Sequence, residues 1–73
     1  MEDLKISLRA ARSNKNLTQK EVAEYLHINK ATLLNWEKGK TKIDAVTLQK
    51  LCELYDIPMK YIFLPDNTKI SSV

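Results

Sequence analysis

Residues 18–37, TQKEVAEYLHINKATLLNWE, decide the fold. They read as two short amphipathic helices separated by a three-residue break, His27-Ile28-Asn29. Thr18 is an N-cap residue, and Glu21 three positions on completes a capping box. Each of these side chains can satisfy a free backbone N–H of the first turn. Val22, Ala23 and Leu26 follow at helical spacing and predict a buried face. Asn29 can cap a second helix, in which Leu33 and Trp36 point inward while Lys30, Ala31, Leu34 and Asn35 point largely outward. Ala23 is small where two helices crossing steeply over a short turn must approach closely. A helix, a tight turn and a second helix with a polar outer face make a helix-turn-helix.

On the N-terminal side, residues 1–15 predict a first helix with Asp3 available as its cap. Leu4, Leu8 and Ala11 fall at i, i+4 and i+7 as a buried stripe, and Ile6 lies off it, where it can cover an end of the core. Arg9 and Arg12 sit near the C-terminal end, where positive charge suits the helix dipole. Asn14-Lys15-Asn16 is the break, with Asn16 suited to a left-handed conformation. On the C-terminal side, residues 38–43 form a basic loop holding the only glycine, Gly39, expected at positive φ just past the helix end. Asp44 caps a fourth helix whose Leu48, Leu51, Cys52 and Tyr55 fall at i, i+3, i+4 and i+7. Asp56-Ile57-Pro58 stops it, and Pro58 opens a short fifth helix, Met59 to Leu64. The expected organisation is one domain over 1–64 and a short polar tail over 65–73.

Seventy-three residues allow one small domain. Such a chain buries only about 60% of its unfolded surface, so its stability is expected to be modest unless it dimerises. One glycine and two prolines favour helices on short connections over a sheet. The net charge of +3 is mild, but its distribution is uneven: Lys30, Lys38, Lys40 and Lys42 face a single acid, Glu37, in that segment. A lone cysteine has no internal disulfide partner, which suits a reducing compartment. The N-terminus lacks the apolar run of a signal peptide, and nothing approaches the length of a membrane span. The expectation is a soluble cytoplasmic protein.

The stretch LTQKEVAEYLHINKATLLNWEKGKTK, residues 17–42, resembles the phage-repressor and Cro type of helix-turn-helix, the Xre family. Leu17-Thr18-Gln19 opens the first helix of the motif, Val22-Ala23 and Leu26 lie inside it, and Ile28-Asn29 leads into the second. Leu33, Glu37 and Gly39 complete the set. Arg12 lies seven residues before Gln19, and Leu48, Leu51 and Ile57 sit where the family carries apolar residues. The resemblance covers roughly residues 4 to 63 and is far more specific than a short motif. It implies an all-α, compact five-helix phage-repressor-like DNA-binding domain.

The resemblance also assigns roles. The N-terminal part of the second motif helix would meet base edges in the major groove, which places Asn29, Lys30, Ala31 and Asn35 at reading positions. Lys30 can donate to guanine N7 and O6, Asn35 can pair with adenine, and Ala31 can touch a thymine methyl. Leu34 would also lie against the groove, where a polar residue is more usual. Gln19 opens a helix N-terminus and would meet a phosphate, as the family's glutamine does. Lys38, Lys40, Thr41 and Lys42 would grip phosphates without reading sequence. A lysine-rich loop is more often a solvated charge run; the position just after the reading helix favours DNA. Arg12 and Glu37 are expected to pair with each other rather than touch DNA. His27 occupies the turn position where the family usually has glycine.

Other residues read as structural. A lone His27 and a distant Cys52 supply neither a metal set nor a nucleophile with its base, and Cys52 reads as a buried thiol. Trp36, three residues after Leu33, reads as a core plug rather than a base-stacking aromatic. The run at 61–64 is too apolar for one short helix to bury, so Tyr61, Phe63 and Leu64, with Met59 and Leu54, are expected to form a self-association patch. The expected function is a transcriptional regulator, a repressor acting as a homodimer on a double-stranded two-fold operator, with no cofactor and no membrane. The expectation is that no separate sensing domain accompanies it. The main alternative is an antitoxin-like protein-binding module on the same fold. An enzyme is disfavoured, because no paired acids, nucleophile triad or glycine-rich phosphate loop is present.

Overall fold

A computed structural model describes residues 4–64. In chain order it contains β1 (Ile6–Ser7), α1 (Leu8–Asn14), α2 (Gln19–Leu26), α3 (Lys30–Lys38), α4 (Ala45–Tyr55), a 3₁₀ turn (Met59–Tyr61) and β2 (Ile62–Phe63). The core is a single cluster of Leu8, Ala11, Val22, Leu33, Leu48, Leu51, Cys52, Tyr55 and Ile62. Leu17, Leu26, Ile28, Trp36, Ile43 and Ile57 cover its margins. Leu8 and Ala11 in α1, Val22 and Ala23 in α2, and Leu33 in α3 are the inward positions that helical spacing selects.

The all-α expectation holds for most of the described residues, but the count of five helices does not. Among the described residues there are four α-helices, and the segments at 6–7 and 62–63 are extended. Ile6 pairs with Ile62 and Ser7 with Phe63 in a two-stranded parallel sheet. The first helix therefore starts at Leu8, not near residue 1. Ser7 is its N-cap, its Oγ accepting the Ala10 N–H at 3.0 Å. Leu4, expected in the buried stripe, is 84% exposed because the chain has left helical geometry before reaching it. Asp3 lies outside the described residues. At the other end, Pro58 is the N-cap of one 3₁₀ turn, not the first residue of a fifth helix. The chain then extends so that Ile62 enters the core and Phe63 faces out, the two-residue alternation of a strand. The expected tail over 65–73 lies outside the described residues.

All four α-helices end in the same way. The first residue past the end of α2, α3 and α4, and the second past the end of α1, takes a left-handed conformation: His27 (φ 60°), Gly39 (φ 78°), Asp56 (φ 59°) and Asn16 (φ 58°). The next N–H reaches back five residues: Leu17 to Arg12, Ile28 to Ala23, Lys40 to Asn35 and Ile57 to Cys52, at 2.9–3.2 Å. This is the Schellman closure. Leu17, Ile28 and Ile57 are thereby turned back onto the core. Only one of the four ends uses glycine; Asn, His and Asp, the residues most tolerant of positive φ, serve the others.

The helix starts are equally defined. Thr18 Oγ1 accepts the Glu21 N–H at 3.0 Å while Glu21 Oε1 accepts the Thr18 N–H at 2.8 Å, the full capping box. Asp44 accepts both the N–H and the hydroxyl of Thr47. Those bonds hold its carboxyl below the usual carboxylate range, the hydroxyl first and the backbone N–H second. Cys52 is buried, and burial pushes its thiol up. Among the described residues no helix is long and apolar enough to cross a membrane, and no group of His, Cys, Asp and Glu is arranged to hold a metal ion.

Candidate nucleic-acid interface

α3 presents two faces. Leu33 is fully buried, and Trp36 packs on the core margin as a plug. The opposite face carries Lys30 and Leu34 one turn apart, with Ala31 and Asn35 beside them at the same spacing. Lys30 and Ala31 are exposed, whereas Leu34 and Asn35 are half-buried. Asn29 occupies the N-cap position with extended backbone (φ −75°, ψ 146°), yet its side chain makes no capping hydrogen bond. Its amide is exposed and free at the leading end of the helix. A helix is about 10–12 Å across with its side chains, a width that a major groove about 12 Å wide admits.

Lys38 closes α3, Gly39 turns the chain, and Lys40, Thr41 and Lys42 follow on an exposed loop. Positive charge at this end complements the helix dipole. The left-handed Gly39 keeps the loop close to the end of α3 instead of letting it run on along the axis.

The inner edge of α3 is tied to the rest of the domain by one charged network. Arg12 Nε donates to Glu37 Oε2 at 2.8 Å and Arg12 Nη2 to Glu37 Oε1 at 3.3 Å, a two-pronged pair. Arg12 Nη1 donates to the Leu17 carbonyl at 2.9 Å. The two side chains are 11% and 3% exposed. The hydrogen bond to Glu37 holds the Arg12 guanidinium above its ordinary range; burial opposes this, and the Glu37 charge adds to it. α1, the loop before α2 and the end of α3 are thus joined at one point.

Gln19 belongs to that network. Its Nε2 donates to Glu37 Oε1 at 3.1 Å, so the amide set down for a phosphate is held by an internal acceptor. Its amide oxygen and backbone N–H are not engaged by any hydrogen bond among the described residues. The pairing also fixes the N-terminus of α2 against α3, a link that spacing alone does not reveal.

An open cleft of about 790 Å³ lies between α1, α2 and α3, bordering the outer face of α3. Gln19, Lys30, Leu34 and Lys38 line it from the expected site. Arg9, Ser13, Asn16 and Lys20 line it too, and sequence reasoning gave these four no part in a site. A partial signal existed: Arg9 and Ser13 stand at i and i+4 on an exposed side of the first helix.

The expected self-association residues divide. Met59, Phe63 and Leu64 are exposed at 40%, 53% and 36%. Leu54 packs on its own core margin, and Tyr61 is half-buried. Tyr55 is buried in the core, and its hydroxyl has no hydrogen-bond partner among the described residues. Burial first, and the nearby Glu37 charge second, push that phenol far above its ordinary range.

Comparison with known proteins agrees with this geometry. A family model described as a helix-turn-helix domain matches residues 6–65. The chain is 39% identical over 59 residues to the HTH-type transcriptional regulator ImmR of Bacillus subtilis (strain 168), an alignment covering 81% of this chain and 46% of that protein. It is 32% identical over 63 residues to the cryptic phage CTXphi transcriptional repressor RstR of Vibrio cholerae, covering 86% of this chain and 57% of that protein. The chain spans about half the length of these curated relatives. With the motif, its internal ion pair and these matches in hand, the chain belongs to the helix-turn-helix family, in its Xre, phage-repressor-like branch.

Proposed function

We propose that the chain is a cytoplasmic, sequence-specific double-stranded DNA-binding regulator that represses transcription by occupying a two-fold operator. The observation that carries this reading is the outer face of α3, where the side chains of Asn29, Lys30 and Asn35 make no hydrogen bond among the described residues and stand with Ala31 beside an exposed basic loop. The names of both relatives, a transcriptional regulator and a transcriptional repressor, support it. α3 lies in the major groove, with Lys30 on a guanine and Asn35 on an adenine. Ala31 and Leu34 contact the groove wall and thymine methyls. Lys38, Lys40, Thr41, Lys42 and the N-terminus of α2 at Gln19 hold phosphates. The exposed Met59, Phe63 and Leu64 supply the contact between two copies, with Leu54 and Tyr61 supporting them from below. The two α3 helices of the dimer then fall one helical turn apart, about 34–36 Å.

Selection of bound sequences from random duplex DNA at near-physiological salt tests the reading. Enrichment of an inverted repeat is expected. Salt-sensitive binding without enrichment removes sequence reading and leaves the fold serving a protein partner, for which the same apolar residues at 59, 63 and 64 are the available surface. Co-purification of a second small protein on that surface would then be the antitoxin-like outcome.

A further inference from the structure

We propose that Leu34 makes α3 a reader of pyrimidine C5-methyl groups, one that accepts 5-methylcytosine where it accepts thymine, so that cytosine methylation at the facing base pair sets the affinity for the operator. The inference rests on the DNA-binding reading and adds to it a base chemistry and a means of regulation.

Leu34 stands apart from the other aliphatic side chains. It is half-buried, yet it belongs neither to the core cluster nor to the side chains packed against it. Every other half-buried leucine or isoleucine among the described residues packs on that core. Leu34 instead lines the open cleft between α1, α2 and α3, one helical turn from Lys30 on one side and from Lys38 on the other. The same cleft is lined by Arg9, Arg12 and Lys20 and by one carboxylate, Glu37, which is paired with Arg12. An apolar spot that the core does not cover thus sits in a predominantly cationic wall. An apolar peptide laid there would cover Leu34 and desolvate the cations without counter-charge. A duplex compensates those cations with phosphates and carries an apolar group inside its major groove, the C5-methyl of a pyrimidine.

The chemistry of leucine decides which difference between bases is seen. In the major groove thymine shows the O4 acceptor and a methyl group, whereas cytosine shows an N4 amino donor and a bare C5–H. A polar side chain would respond to the acceptor or to the donor. Leucine has neither a donor nor an acceptor to offer, so it responds to the methyl alone. 5-Methylcytosine carries that methyl at the same carbon, and uracil lacks it. Burial of one methyl is worth about fourfold in affinity, and roughly fifteenfold when both half-sites of a two-fold operator gain or lose it. Ala31, exposed and three residues before Leu34, extends the apolar surface by a single methyl of its own.

The test compares the wild type with Leu34→Ala by fluorescence anisotropy, on duplexes built from the sequence that the wild type selects. Each thymine of the half-site is replaced symmetrically by uracil, and in further duplexes by cytosine or 5-methylcytosine opposite guanine. Thymine against uracil, and 5-methylcytosine against cytosine, each change one methyl and no base-pairing group. At one position uracil should weaken the wild type by roughly fifteenfold, and 5-methylcytosine should bind more tightly than cytosine by the same factor. In Leu34→Ala both factors should fall below about threefold. Selection from a library in which every cytosine is methylated should admit 5-methylcytosine at that position, where the ordinary library admits thymine. Thymine alone from both libraries would confine the reading to thymine and overturn control by methylation. No methyl-sensitive position, or equal factors in the wild type and Leu34→Ala, overturns Leu34 as the reader while the DNA reading stands. A melting temperature of Leu34→Ala about 8 °C or more below the wild type, the loss a core leucine gives, does the same. Absence of any enriched sequence with the wild type overturns both.

Discussion

Glu37→Ala is the most informative single perturbation of this fold. The Glu37 carboxylate accepts Arg12 Nε at 2.8 Å, Arg12 Nη2 at 3.3 Å and Gln19 Nε2 at 3.1 Å, and its side chain is only 3% exposed. Truncation leaves the 11% exposed Arg12 side chain charged and without its counter-ion. Breaking such a pair costs about 3–5 kcal/mol, against about 0–1 kcal/mol for a solvent-exposed pair. At roughly 0.05–0.15 kcal/mol per residue, a 73-residue chain has a stability of roughly 4–11 kcal/mol, so the variant loses about a quarter of it or more. At about 4–8 °C per kcal/mol for a domain of this size, the melting temperature should fall by at least roughly 12 °C. Urea unfolding followed by far-UV circular dichroism measures the loss. Replacing both partners, Arg12→Met with Glu37→Leu, should recover most of it, because no buried charge is then stranded. A loss below about 1 kcal/mol in Glu37→Ala would mean that the pair is solvated and does not join α1 to α3.

Three further outcomes follow from named atoms. His27→Gly should raise stability by up to about 1 kcal/mol, since φ 60° and ψ 45° strain a side chain that glycine lacks; an unchanged or lower melting temperature would refute the strain. Asp44 has its folded-state pKa below the unfolded value, so its carboxylate stabilises above about pH 4 and that contribution fades as pH falls through the folded-state value. The melting-temperature gap between wild type and Asp44→Ala should therefore narrow below about pH 4, and a gap constant down to pH 2.5 would contradict it. Tyr55→Phe removes a buried hydroxyl without a partner and should leave stability equal or higher; a loss above about 1 kcal/mol would show that the hydroxyl is satisfied in solution.

The helix-turn-helix was legible because its signals are local and agree with one another. Thr18 and Glu21 form the capping box that their spacing announced, and Val22, Ala23 and Leu33 are buried where the helical period placed them. His27 and Gly39 take the positive φ anticipated for them, and Asn16 does so too, while Asp56 completes the pattern without having been singled out. The two ends of the chain were misjudged for one shared reason. Ile6-Ser7 and Ile62-Phe63 are extended because each supplies the other's hydrogen-bond partner, across more than fifty intervening residues. No window along the sequence contains that pairing, and helical spacing fitted Leu4, Leu8 and Ala11 equally well. Ser7 was the missed local clue, a capping residue three positions before the N–H it accepts. The cleft was hidden in the same manner, since Arg9, Lys20 and Lys30 lie on three helices and only their packing makes one concave wall.

The central claim is that α3 reads base edges, and the most direct measurement is a parallel selection from random duplex DNA with wild type, Asn35→Ala and Lys40→Ala. The wild type should enrich an inverted repeat. Asn35→Ala should relax the choice at one base pair of each half-site, a loss of about 1–3 kcal/mol there, while Lys40→Ala keeps the same sequence and binds every duplex more weakly. An identical consensus from Asn35→Ala would contradict the reading assigned to that residue, and no consensus from the wild type would contradict sequence recognition by α3 altogether.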